Sequence, residues 1–259
     1  MADKRLKDRV AIVTGGGAGI GATLCRGLAE HGAKVVIAEI NEDSLERTAK
    51  ELKEEGFDIL PVVTDVSDKS STQNMAQATL EKWGQIDILV NNAAVYDASP
   101  FYEIDEEYWD RMYEVNVKGI WLSTLSVYPS MKEQGKGKII NIGSQTFFSG
   151  WPNYMHYVGT KGAIVGMTRA LAIEVGPDGI RVNCLCPGLT MTEKALVDVE
   201  RSIRPGEVGE WVDEHVQGQC IKHPAYPEDL IGTLIYMASD DSDFLTGQTI
   251  LVDGGWAKH

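Results

Sequence analysis

Short apolar runs alternate with longer helical patterns along almost the whole chain of 259 residues. Several runs, among them residues 10–14, 34–39 and 86–91, are apolar at consecutive positions instead of at every second one. Such runs are typical of parallel strands that helices cover on both faces. The repeated strand–helix order therefore predicts an α/β fold with one doubly wound parallel sheet, in a single domain over residues 1–259.

Two long helices and one irregular stretch complete the predicted layout. The apolar pattern predicts one helix from Asp105 to about Glu133 and another from Met155 to Val175. Residues 190–225 are polar, charged and interrupted by proline and glycine, and they follow the end of a predicted strand. Ligands bind such sheets at the strand ends, so we predict an irregular, mobile substrate lid over 190–225; a plain surface loop is the alternative.

The charge balance excludes several classes of partner. Acidic residues outnumber basic ones by 38 to 24, for a net charge of −14. Such a surface repels nucleic acid and anionic membranes, and no apolar run approaches the ~20 residues of a membrane helix. Met1–Lys7 has no apolar signal core, which predicts a cytoplasmic protein. Cys184 and Cys186 have neither zinc-site nor C-x-x-C spacing, so we expect reduced, buried thiols and no metal.

A glycine-rich turn follows the first predicted strand and precedes a helix. It reads Thr14-Gly15-Gly16-Gly17-Ala18-Gly19-Ile20-Gly21. Glycine lets the backbone approach a pyrophosphate closely, and the helix N-terminus supplies N–H donors. A glycine cluster alone also fits an ordinary turn, but the strand and helix around it favour a dinucleotide site.

Glu39 closes the second predicted strand, 24 residues after Gly15. A carboxylate there accepts hydrogen bonds from the hydroxyls of an adenosine ribose and repels a 2′-phosphate. The position therefore predicts NAD as the cofactor. The other interpretation is an acidic residue that caps the following helix.

Tyr157 and Lys161 are four residues apart, so they share one face of the predicted helix. A nearby ammonium is expected to lower the pKa of the phenol from about 10, which would suit it to proton transfer near neutral pH. Tyr128 and Lys132 repeat the spacing, and we interpret them as an exposed helix end. In the family that these motifs resemble, a serine lies 13 residues before the tyrosine; Ser144 has that position relative to Tyr157, which favours Tyr157.

These motifs together resemble the classical short-chain dehydrogenase/reductase family, whose glycine turn reads T-G-x-x-x-G-x-G. The resemblance covers essentially the whole chain. Asn91-Asn92-Ala93-Ala94 is similar to the family's N-N-A-G, with Ala94 in place of glycine. The catalytic residues that the resemblance implies are Asn116, Ser144, Tyr157 and Lys161. The cofactor-binding residues that it implies, with the turn and Glu39 included, are Gly15, Gly17, Gly19, Ile20, Gly21, Glu39, Asp65, Val66, Asn92, Tyr157, Lys161, Thr190 and Thr192.

The resemblance also implies a role for each group. Ser144 would hold the substrate oxygen, and Asn116 would support a water that connects Lys161 to solvent. Asp65 and Val66 would contact the adenine, while Thr190 and Thr192 would contact the nicotinamide carboxamide or the pyrophosphate. Ala18 and Ile40 stand where NADP-using relatives often carry arginine, which again favours NAD.

The expected function is hydride transfer between NAD and a secondary alcohol or ketone. The aromatic residues near the motifs, together with a resemblance to 1-phenylethanol-type dehydrogenases, indicate a hydrophobic or aromatic substrate; these residues are Tyr96, Phe147, Phe148, Trp151 and Tyr154. Arg201 and Arg204 in the lid could instead bind an anionic substrate. The alternatives are a 3-oxoacyl thioester reductase and a non-enzymatic Rossmann protein that senses the nucleotide.

The two long predicted helices carry more apolar residues than one inward stripe requires. A helix that is apolar on two sides needs a second partner. Two-fold pairing of each helix with its own copy would bury the excess. Together with the family resemblance, this predicts a homotetramer built from dimers; a wholly internal helix is the alternative.

Overall fold

Seven parallel strands form one sheet in the computed structural model, which describes residues 4–204 and 206–257. The strands are β1 (Val10–Thr14), β2 (Lys34–Glu39), β3 (Ile59–Val63), β4 (Ile88–Asn91), β5 (Gly137–Ile142), β6 (Ile180–Pro187) and β7 (Thr249–Val252). Their order across the sheet is β3-β2-β1-β4-β5-β6-β7. The chain reverses its direction of winding between β1 and β4, which confirms the doubly wound Rossmann fold.

Helices cover both faces of the sheet. They are α1 (Gly19–Glu30), α2 (Glu42–Glu54), α3 (Lys69–Trp83), α4 (Glu106–Tyr113), α5 (Gly119–Gln134), α6 (Thr146–Ser149), α7 (Met155–Val175), α8 (Glu193–Asp198), α9 (Val208–Gly218) and α10 (Ile231–Ala238). Helices α1, α2 and α10 pack on one face, and α3, α5 and α7 pack on the other. The two apolar cores therefore share the sheet as their common wall.

Strand β1 shows why the sequence pattern is continuous. Ala11 and Val13 face the core under α1 and α2, whereas Ile12 faces the core under α3 and α5. Side chains alternate between the faces of a strand, and here helices bury both faces. Every position of β1 is therefore buried, which requires an apolar run without alternation.

The predicted helix from Asp105 to about Glu133 is nearly continuous but contains one wider turn. Asp105 begins it by accepting a hydrogen bond from Tyr108 N at 2.7 Å. Helix α4 then passes through a π-helical turn, Glu114–Lys118, into α5. That turn contains Asn116. Single π-helical turns inside α-helices are frequent at functional sites.

The prediction of an irregular stretch over 190–225 is wrong. Helix α8 begins at the cap Thr192, whose hydroxyl accepts from Ala195 N at 3.2 Å, and a π-helical turn follows it over Val199–Ile203. Helix α9 then occupies Val208–Gly218. Helix α8 has only six residues, three of them charged, so it is too short to show a helical period. In α9, Val208, Trp211, Val212 and Val216 do have helical spacing, so the sequence carried a signal for that helix.

The cysteines agree with the expectation of buried thiols at three positions. Cys25, Cys184 and Cys186 are buried and Cys220 is exposed, and all four are unbridged. Among residues 4–204 and 206–257, no cluster of histidine, cysteine and carboxylate side chains has the form of a metal site. Within the same ranges, no helix combines the length and apolar character needed to cross a membrane.

Candidate active site

A cavity of about 780 Å³ opens at the carboxyl ends of the strands. Its walls come from the segments that follow β1 to β6, which lie far apart in sequence. It includes the crevice between β1 and β4, where the strand order reverses. A doubly wound sheet binds its ligands at this point.

The glycine-rich turn forms one end of the cavity. Gly15 has a φ of +64°, which side chains disfavour, and a Cβ at Gly21 would lie 2.0 Å from Gly15 O. The Asn92 amide ties the turn to the end of β4 by donating to Thr14 O and Gly15 O, both at 3.0 Å. Glycine is therefore needed for the turn to fold against α1.

The N-terminus of α1 has the form of an anion site. Ala18 precedes the helix and supplies no side-chain cap, and no acidic residue lies in the first turn. The first N–H groups of a helix have no partner within it, and they carry the positive end of the helix dipole. The turn and this helix end together fit the pyrophosphate of a dinucleotide.

Glu39 lies where β2 ends and lines the cavity. Its Oε2 accepts from Gly17 N at 3.2 Å, while Oε1 accepts from Ile40 N at 2.9 Å and Asn41 N at 3.0 Å. These bonds hold the carboxylate beside the glycine turn. The cap of α2 is Asn41, whose side chain accepts from Ser44 N, so the capping interpretation of Glu39 is wrong.

Most of the predicted cofactor residues meet in this cavity. Those that line it are Gly15, Gly19, Ile20, Gly21, Glu39, Asp65, Val66, Asn92, Tyr157, Lys161, Thr190 and Thr192. Gly17 lies behind the wall and supports Glu39 through its N–H.

Ser144, Tyr157 and Lys161 lie together further along the cavity. Ser144 follows β5, and its Oγ accepts from the Thr146 hydroxyl at 2.9 Å and from Thr146 N at 3.2 Å. The Lys161 Nζ donates to Ile142 O at 2.8 Å and lies 5.3 Å from the centre of the Tyr157 ring. Helix α7 places the two side chains on one face, as the four-residue spacing predicts.

The expected lowering of the Tyr157 pKa is wrong for this structure. Burial raises the pKa of Tyr157 well above its usual value, and a hydrogen bond from Ser144 opposes only part of that rise. Burial also lowers the pKa of Lys161 to about 8. The low-polarity wall disfavours both charged forms, and the lysine is directed at a backbone carbonyl instead of at the phenol oxygen.

Asn116 does not line the cavity. Its side chain accepts from Val95 N at 2.8 Å and donates to Val95 O at 2.9 Å and to Thr160 Oγ1 at 3.2 Å. Thr160 in turn donates to Tyr157 O. The π-helical turn thus attaches the loop after β4 to the helix that carries Tyr157.

The second Tyr-x-x-x-Lys pair lies elsewhere. Tyr128 donates to Asp178 Oδ2 at 2.7 Å, and Lys132 pairs with the same carboxylate at 3.4 Å. Neither residue lines the cavity. This pair joins α5 to the end of α7, so its role is structural, as expected for a helix end.

Helix α8 forms one side of the cavity, and its charged residues make contacts that the sequence did not predict. The Lys194 Nζ lies 4.4 Å from the centre of the Tyr96 ring, 3.0 Å from Asp198 and 3.6 Å from Asp97. Tyr96 lies against Tyr157, with ring centroids 5.7 Å apart. Lysine and tyrosine here are 98 residues apart, so only the fold brings them together.

Aromatic rings form the outer wall. Trp151 packs at 5.6 Å from Trp211 and 6.1 Å from Tyr154, and Tyr154 packs at 6.0 Å from Tyr157. All four residues line the cavity. The expectation that Phe147 and Phe148 line it is wrong, because α6 directs Phe147 towards Gly162 and Phe148 into a small core.

Comparison with known proteins agrees with this geometry. The model of the short chain dehydrogenase family matches residues 9–200. A relative from Thauera aromatica, (2S)-((R)-hydroxy(phenyl)methyl)succinyl-CoA dehydrogenase subunit BbsD, is 37% identical over 96% of this chain and 97% of its own. A probable galactose dehydrogenase, GalD, from Rhizobium meliloti is 35% identical over 96% of this chain and 95% of its own.

Solved structures show the same similarity. Levodione reductase superposes with a TM-score of 0.91 at 30% identity, covering 97% of this chain and 98% of that one. A gluconate 5-dehydrogenase from Burkholderia cenocepacia, in complex with NADP and tartrate, superposes with a TM-score of 0.89 at 34% identity over 98% and 97%. The chain therefore belongs to the short-chain dehydrogenase family of oxidoreductases.

Proposed function

We propose that this oxidoreductase transfers a hydride between NAD and a secondary alcohol or ketone. The observation that carries the proposal is the meeting of Ser144, Tyr157 and Lys161 in the cavity that also contains the glycine turn and Glu39. A hydroxyl, a phenol and an amine beside a dinucleotide cleft can hold a carbinol oxygen and move its proton.

The residues of the chain would divide the reaction between them. Bound nicotinamide supplies the hydride acceptor. Ser144 donates a hydrogen bond to the substrate oxygen and fixes its position. In its phenolate form Tyr157 accepts the hydroxyl proton as the carbinol C–H bond breaks, and the Lys161 ammonium, 5.3 Å from the centre of the ring, favours that form. Asn116 positions the helix of Tyr157 through Thr160. Reduction of the ketone uses the same groups in reverse.

The preference for NAD rests on Glu39. Its carboxylate faces the cavity beside the glycine turn, and neighbouring Ala18 and Ile40 supply no cation for a 2′-phosphate. One solved relative binds NADP, so family membership alone does not decide the cofactor. The negative charge of Glu39 favours NAD, whose adenosine ribose carries a free 2′-hydroxyl, over NADP, which carries a 2′-phosphate.

The aromatic wall supports a hydrophobic or aromatic alcohol. Tyr96, Trp151, Tyr154 and Trp211 surround the approach to Tyr157. The name of the Thauera relative describes a phenyl ring on a hydroxyl-bearing carbon. Stacking on such rings would orient an aryl group while its carbinol carbon lies beside Tyr157.

A spectroscopic assay tests this function. Secondary alcohols, with 1-phenylethanol as the first, are screened for NAD reduction at 340 nm against Tyr157→Phe and Tyr128→Phe. We expect turnover in the parent and in Tyr128→Phe, and its loss with retained NAD binding in Tyr157→Phe. A nucleotide sensor would bind NAD without turnover in all three proteins, and a thioester reductase would respond to 3-oxoacyl thioesters only.

A further inference from the structure

The two arginines of the lid have different surroundings. Arg204 pairs with Glu214 at 3.0 Å and with Glu207 at 3.6 Å, and it does not line the cavity. Arg201 lines the cavity and is exposed at its rim. Within residues 4–204 and 206–257, its guanidinium makes no hydrogen bond or ion pair. The partner of this cation is therefore not a side chain of the described fold.

The other cations of the cavity wall are already engaged. Lys194 is held between Asp97 and Asp198, Arg111 donates to Ser67 Oγ at 3.0 Å, and Lys161 donates to Ile142 O. Among the described residues, Arg201 is thus the cavity cation available to a ligand.

The backbone around Arg201 supplies an independent observation. Arg201 lies in the π-helical turn Val199–Ile203, and the other π-helical turn of the described chain contains Asn116. Both turns present a valine to the same cavity, Val115 and Val199. A π-helical turn widens the helix and redirects its side chains, and such turns are frequent at functional sites.

We propose that Arg201 binds an anionic group of the substrate, a carboxylate for preference, while Trp151 and Trp211 hold the apolar part. The inference rests on the proposed function, because it places the reacting carbinol at Ser144 and Tyr157 and the anion at the rim. A planar guanidinium fits a carboxylate through two parallel hydrogen bonds. The substrate class is then a hydrophobic or aryl secondary alcohol that also carries an acid group.

A matched pair of substrates tests the charge. 3-Hydroxy-3-phenylpropanoate and its neutral amide are oxidised with NAD by the parent, Arg201→Met and Arg204→Met. We expect Arg201→Met to lower kcat/KM for the acid about tenfold, the equivalent of roughly 1.4 kcal/mol. The amide, and the KM for NAD, should change less than about twofold, within the spread of surface substitutions. Arg204→Met should leave the ratio of acid to amide unchanged.

A binding measurement separates this inference from the proposed reaction. The non-reactive pair 3-phenylpropanoate and 3-phenylpropanamide is titrated calorimetrically with NAD present, after thermal melts show that each variant is folded. The inference is supported if the parent binds the acid more tightly than the amide and Arg201→Met loses that preference. If this result is obtained but no alcohol is oxidised, only the proposed reaction fails. An equal effect of Arg201→Met on acid and amide overturns it. A rise in the KM for NAD alone assigns Arg201 to the cofactor and overturns it too.

Discussion

His215 lies flat against Trp256, with ring centroids 4.1 Å apart and planes inclined by 8°. The stack joins helix α9 to the C-terminal tail. His215 also packs at 5.7 Å from Trp151 and at 6.0 Å from Trp211, so the tail is connected to the cavity wall. Trp256 fits there because residue 218 is glycine; a Cβ at that position would lie 1.8 Å from the tryptophan ring.

This burial makes His215 a source of acid sensitivity. Burial lowers the pKa of His215 from 6.5 to about 4, and Asp253 opposes the shift only in part. The folded state binds this proton more weakly than the unfolded state, so the stabilisation is complete above pH 6.5 and is lost as the pH falls towards 4. We expect His215→Phe to reduce the loss of unfolding free energy between pH 7 and pH 4.5, measured by urea denaturation.

The exposed His223 supplies the control for that experiment. His223→Phe should leave the acid sensitivity as it is in the parent. Equal pH dependence in His215→Phe and the parent would show that another group governs acid unfolding.

Glu39→Gln should shift the cofactor preference. The parent is expected to favour NAD over NADP by at least about tenfold in kcat/KM, or ~1.4 kcal/mol. The amide keeps the shape, and its one oxygen can still accept from Ile40 N and Asn41 N, although the acceptor for Gly17 N is lost; the substitution removes the charge that repels a 2′-phosphate. Steady-state kinetics with both cofactors should show the preference reduced mainly through a lower KM for NADP. Glu42→Gln, on the exposed start of α2, should change neither the preference for NAD nor the KM for NADP.

Lys161→Met should stabilise the fold while it removes activity. Folding lowers the pKa of Lys161 from 10.5 to about 8, so the cost of burying its charge is complete below pH 8 and disappears above pH 10.5. Removing the charge gains up to roughly 3 kcal/mol near pH 7, and loss of the hydrogen bond to Ile142 O offsets part of it, for a net gain of about 1–2 kcal/mol.

Thermal melts at pH 7 and pH 10 check this prediction. The gain in Tm should be present at pH 7 and shrink at pH 10. Lys132→Met, which alters the exposed lysine of the second Tyr-x-x-x-Lys pair, should show no such pattern. A lower Tm for Lys161→Met at pH 7 would mean that the lysine stabilises the fold through its hydrogen bond more than its buried charge destabilises it.

We propose that the chain forms a homotetramer built from dimers. Trp121 and Leu125 lie one turn apart on α5 and are 53% and 40% exposed, and Ile173 on α7 is 79% exposed. Buried residues on the opposite sides of these helices already fill the core. Light scattering should give about four times the 28.4 kDa chain mass. Trp121→Glu should lower that mass. A parent of single-chain mass would contradict the proposal.

Local patterns in the sequence were sufficient for the sheet and for much of the site. The run Val10–Val13 is apolar throughout because both of its faces are buried, and the turn after β1 is rich in glycine because Gly21 lies against Gly15 O. Tyr157 and Lys161 share a helix face because four residues complete about one turn. Each of these features depends on neighbours within a few residues, so each leaves a recognisable pattern.

Packing between distant segments decided the other contacts of the candidate site and the pKa values of its residues. Lys194 meets Tyr96 across 98 residues, and helix α8, with six residues, is too short to show a helical period. The pKa of Tyr157 is raised although Lys161 lies one helical turn further along α7. Burial disfavours the phenolate, and the Lys161 ammonium donates to Ile142 O. Residue spacing determined that Tyr157 and Lys161 lie side by side on α7. Their pKa values depend on the exclusion of solvent from the cavity wall, which exists only in the folded chain.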